Sequence, residues 1–157
     1  MKAGMVLPIV AVLLWGQSAQ GQQPTGSQSC SGNMTEQLRR FNEQCLTEAV
    51  SYVVSQPKAA ARVLGEELKF FVQFQRTGAE LEAEAVSRAN FPFMEAGTAD
   101  TLKELGWMPP DNEVGNFRKR FVADAPAAGT AEDLARALMA YGLRRGDAIS
   151  LTVGTQD

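Results

Sequence analysis

The stretch LKFFVQFQRTGAELEAEAV, residues 68–86, constrains the fold most. Leu68, Phe70, Val72 and Phe74 alternate with Lys69, Phe71, Gln73 and Gln75. A period of two in aromatic and β-branched residues is the pattern of a half-buried strand. Arg76-Thr77-Gly78 supplies a turn. Leu81, Ala83 and Ala85 then alternate with Glu80, Glu82 and Glu84. Alternation directly after a strand and a glycine turn predicts a β-hairpin. The Ala/Glu composition makes a helix over residues 79–89 the rival reading.

Around this hairpin the periodicity is mostly helical. Leu38, Phe41, Cys45, Ala49 and Tyr52 or Val53 recur at steps of three and four, which predicts a helix over residues 35–55. Ser55 and Pro57 fit the cap and first turn of a second helix, continuing over residues 58–67. After the hairpin, Thr98 is placed to cap a short helix ending near Leu105. Residues 114–122 fit a helix or a strand. Thr130 and Asp133 resemble a capping box before the stripe Leu134, Ala137, Leu138 and Tyr141. Ile149, Leu151 and Val153 alternate as a closing strand. The expected fold class is α+β, with helices packed on a mainly antiparallel sheet. An N-terminal helical region would precede the hairpin, and helices and strands would alternate after it.

The chain opens with Lys2, an apolar run to Trp15 and then Ala19-Gln20-Gly21, the small-residue pattern of a secretory cleavage site. The run is shorter than the roughly 20 residues that a bilayer span requires. Residues 1–21 are expected to be a signal peptide, with residues 22–33 a flexible Gln/Ser/Gly-rich lead-in. Residues 34–154 would form one α+β domain. The product would be secreted, or held in the periplasm or cell envelope, with no stable membrane insertion after cleavage.

Export gives meaning to the two cysteines, because exported proteins tend to oxidise paired thiols. Cys30 and Cys45 would stand about 22 Å apart on one continuous helix. A disulfide needs Cα atoms within about 7 Å, so the chain before Met34 must fold back, with Gly32-Asn33 as the turn. An intramolecular Cys30–Cys45 disulfide is expected; a bond to a partner and two reduced thiols are the alternatives. Asn33-Met34-Thr35 also matches a glycosylation acceptor, relevant only in a glycosylating host.

An ordered series of motifs carries a resemblance. KFFVQF, EAEAVS, LKELGWMPP, NFRKRF and DLARALMAYGL follow one another over residues 68–153. This region resembles the small chaperone-like α+β domains related to type III secretion chaperones, especially the actinobacterial members. The resemblance implies binding to other proteins and help in assembling complexes. It brings no catalytic residues.

Several chemistries lack their parts. The chain has no histidine, which removes Ser-His and Cys-His dyads and disfavours zinc. No glycine-rich phosphate loop follows a strand. A net charge of −3, one unit more negative without Lys2, argues against nucleic acid. Glu80, Glu82 and Glu84 have a spacing that carboxylate-based hydrolases use, but a solvated sheet face explains them better. Neither catalytic residues nor cofactors nor metals are expected. Arg118 and Arg120, around Lys119, are candidates for contact with an acidic partner. Phe71 is apolar on the polar side of its strand, and Phe91 and Phe93 flank a proline in a loop; all three are candidates for partner binding.

The expected function is therefore non-enzymatic binding of a protein partner, or of a second copy. The alternative is a cell-envelope module that binds peptidoglycan or another glycan through Trp107. A carboxylate-based hydrolase ranks third. Gly106 after a helix end, with Pro109 and Pro110 beyond, also gives LKELGWMPP a structural reading as a helix stop with Trp107 folded onto the core.

Overall fold

The computed structural model describes residues 37–65 and 70–155. The segments expected to be a signal peptide and a lead-in, with Cys30 and Asn33, lie outside them. The elements run β1 (Gln37–Arg40), α1 (Glu43–Ser55), β2 (Ala59–Gly65), β3 (Phe71–Thr77), β4 (Glu80–Ala85), α2 (Thr98–Glu104), β5 (Phe117–Val122), α3 (Ala127–Ala140) and β6 (Ala148–Thr155). The strands form one sheet in the order β1-β6-β2-β3-β4-β5, and every neighbouring pair is antiparallel. The fold is α+β.

The hairpin forms as its alternation predicts. Thr77 pairs with Glu80, leaving a two-residue loop. Gly78 takes φ +64° and Ala79 does not go positive, the arrangement of a type II′ turn. Such a turn matches the right-handed twist of the strands it joins.

Two N-terminal segments differ from the helical reading. Residues 37–40 are a strand, and α1 begins only at Glu43. Asn42 stops helix from reaching further back: its backbone is extended, and its side chain accepts a 2.7 Å bond from Cys45 N. The second correction concerns residues 58–67. Gln56, before Pro57, is extended, as the proline ring requires of its predecessor. Lys58 then takes φ +60° and the chain enters β2. Ala59, Ala61, Val63 and Gly65 are buried, while Ala60, Arg62 and Leu64 face the other way. Hydrogen bonding to β3 on one side and β6 on the other overrides the helical preference of Ala, Arg and Leu. Ser55 caps nothing; its hydroxyl donates back to Tyr52 O.

The inward side chains of the strands meet the helices in one core. α1 contributes Cys45, Leu46, Ala49, Val50 and Val53, and α3 contributes Leu134, Ala135, Ala137 and Leu138. The two helices pack on each other and on the middle of the sheet, with α2 against α3. α3 starts at Ala127 after Pro126, so Thr130 is a buried side chain inside the helix rather than its cap. Tyr141 stacks on Phe70 at 4.7 Å, and its hydroxyl donates to Val86 O. Burial holds this phenol above its ordinary range. Gly65 sits so close to Phe70 that a Cβ there would come within 2.7 Å of the ring.

Candidate functional site

The helices cover one face of the sheet. Among the described residues the opposite face is open. It carries two transverse rows of side chains, set by the strand register. One row runs Thr152, Arg62, Gln73, Glu84, Arg118. The next runs Gly154, Ala60, Gln75, Glu82, Arg120. A groove of about 720 Å³ lies over these rows, walled by the segment from Met108 to Asn116.

The wall is held at its root. Leu102, Lys103, Gly106 and Trp107 make the two hydrogen bonds of a Schellman end: Trp107 N donates to Leu102 O and Gly106 N to Lys103 O, both at 2.9 Å. Gly106 takes φ +79°, where a glycine is at ease. Trp107 is 2% exposed, so the helix-stop reading of LKELGWMPP describes it correctly. Met108 then exchanges two backbone bonds with Arg118, and Pro109 and Pro110 end that pairing because they have no N–H to donate. Further along, Asn116 Oδ1 accepts from Ser87 N and from Asn90 Nδ2, and Asn90 Nδ2 also donates to Val114 O. The wall is thereby stitched to the loop that follows β4.

Lys119 braces the same region from the helix side. Its Nζ donates to Leu105 O at 2.6 Å and to Asp133 Oδ2 at 2.9 Å. It satisfies a carbonyl at the end of α2 and ties β5 to α3. Asp133 therefore serves this contact and not a capping box.

The cations predicted for a partner, Arg118 and Arg120, are on the open face but engaged. Arg118 Nε lies 3.4 Å from Glu84, and Arg120 Nε lies 3.4 Å from Glu82 and 3.7 Å from Glu80. Gln73 Nε2 donates to Glu84 as well, at 3.1 Å. The three carboxylates act here as partners in a cross-strand charge ladder. Of the aromatic candidates, Phe91 is half-buried, edge-on to Phe70 and Tyr141. Phe93 is 85% exposed and touches Phe91 edge-on. Phe71 is on the open face, and the guanidinium of Arg62 stacks over its ring at 4.2 Å. The structure thus brings Phe71, Arg118 and Arg120 to one face and places Phe91 and Phe93 on a separate loop.

Arg62 escapes the sequence reading because a helix over residues 58–67 would leave it simply solvated. The out-of-phase Phe71 is the signal that could have found it. Among the described residues no group of acidic or cysteine side chains is placed to hold a metal ion. No helix among them is long and apolar enough to cross a membrane. Comparison with family models, with curated proteins and with solved structures returns no match.

Proposed function

We propose that this protein is an exported, non-enzymatic binding module that takes a protein partner, or a second copy of itself, on the open face of its sheet. The observation that carries this reading is the asymmetry of the sheet: helices on one face, a walled groove over polar side chains on the other. Grooves of several hundred Å³ with a few placed polar groups are common binding sites. The wall is anchored at its root by the buried Trp107, and pre-organisation of this kind favours affinity. The α+β fold is also the kind that the chaperone-like resemblance implies, although a fold by itself assigns no function.

The glycan reading loses its main support, since Trp107 is buried and offers no ring to a sugar. Native mass spectrometry of the mature protein, alone and after capture from the secreting cell's envelope or medium, tests the proposal. A defined complex or homo-oligomer that disappears in Ala60→Tyr, which fills the groove floor, is expected. A monomer that binds only cell-wall sacculi would overturn it.

A further inference from the structure

The charges of the groove do not all cancel. Arg118 is paired with Glu84, Arg120 with Glu82 and Glu80, and Lys119 with Asp133. Among the described residues the Arg62 guanidinium has no carboxylate partner and no hydrogen bond, and it lies over the face of Phe71. A cation–π contact restrains the guanidinium over the ring, and no hydrogen bond among the described residues occupies its N–H donors. Thr152 and Gln73 flank Arg62 in the same transverse row. Gln73 commits an amide N–H to Glu84, and its carbonyl oxygen has no partner among the described residues.

Beside Arg62 the floor drops. Ala60 and Gly154 are register neighbours in the next row, with the smallest side chains of the face. A Cβ added at Gly154 would meet nothing within 4 Å. A planar cation with available donors therefore borders a depression with room for a ligand group. Asp111, on the opposite wall, has no ion partner among the described residues, and it repels an anion from that end of the groove.

We propose that Arg62, held on Phe71, binds a carboxylate side chain from an extended acidic segment of a protein partner, with the segment seated in the Ala60–Gly154 depression. The inference rests on the protein-binding reading and adds the chemistry of the partner. An Arg fork matches a carboxylate with two parallel bonds, whereas Arg118, Lys119 and Arg120 each already lie within 4 Å of a carboxylate of the protein. The acidic residue lies at the β2 end of the groove, away from Asp111.

The test uses an array of short random-sequence peptides probed with the mature protein and three variants: Arg62→Gln, Arg62→Glu and Gly154→Tyr. Gly154 lies in a strand on the open face and outside the left-handed region, so tyrosine is compatible with the fold, and thermal unfolding checks this. Retained peptides are expected to be enriched in Asp and Glu. Changing that acid to its amide, or Arg62 to Gln, should each weaken binding by about tenfold or more. Gly154→Tyr should abolish it, and Arg62→Glu should shift selection toward basic peptides. Retention of neutral or basic peptides by the native protein overturns the inference. So does acidic-peptide binding that survives Arg62→Gln or Gly154→Tyr. If no peptide is retained although a captured partner still forms its complex, this inference falls while the protein-binding reading stands.

Discussion

Trp107 N donates to Leu102 O at 2.9 Å, closing the end of α2 and turning the indole into the core. The bond links the helix layer to the groove wall, because Met108, the next residue, is the one that pairs with β5. Trp107→Ala should destabilise the fold by about 3–5 kcal/mol through lost burial and a cavity. Denaturant unfolding of the variant measures this. A change below about 1 kcal/mol would mean that the surroundings collapse onto the site or that the indole is not buried.

Lys119 supports the same junction by electrostatics. Its side chain is 17% exposed and that of Asp133 34%, so the pair is partly shielded from water. Lys119→Ala removes the partner of both Asp133 and the Leu105 carbonyl, and should cost about 1–3 kcal/mol. In a double-mutant cycle with Asp133→Ala, the two losses should be less than additive. Additive losses would show that the two side chains do not interact in solution.

Gly65 tests the packing of the core edge. Phe70 is fixed between Gly65 and Tyr141, so the ring has little room to yield to a new methyl group. Gly65→Ala is expected to destabilise by about 1–3 kcal/mol, the usual cost of overpacking, measured by thermal unfolding. Gly154→Ala, where the added atom meets nothing, should be close to neutral or slightly stabilising.

Cys45 is on the buried face of α1, and Cys30 precedes the described residues. The expected disulfide predicts that the unreduced monomer is two hydrogens lighter than the reduced one by intact mass. Reduction should lower stability by about 3 kcal/mol. A monomer of reduced mass, or a dimer that reductant splits, would select one of the other two arrangements.

The parts of the fold that were legible were those whose own residues decide the outcome. The β3–β4 hairpin has strict alternation and a glycine where the turn needs positive φ. The Leu134-to-Tyr141 stripe and the Ile149-Leu151-Val153 alternation likewise state their periods plainly. β1 and β2 were not legible for a different reason. β1 has four residues and exists through its pairing with β6, at the far end of the chain. β2 is built from residues that favour helix and becomes a strand because β3 and β6 bracket it. The candidate site suffered from the same gap. Phe71 was visible as an anomaly, but Arg62 acquires meaning only when β2 sets it one strand away. Arg118 and Arg120 were visible as cations, while their neutralisation depends on cross-strand register with β4.

A partner seated on the open face of the sheet must shield the carboxylates that line the groove. Carboxyl footprinting of the protein alone and in its captured complex measures that shielding. Glu82, Glu84 and Asp111 report on the groove, whereas Glu43, at the start of α1, and Glu132, on α3, report on the helix layer. The partner is expected to protect Glu82, Glu84 and Asp111 from labelling and to leave Glu43 and Glu132 unchanged. Protection of Glu43 and Glu132 with an unaltered groove would contradict binding on the open face.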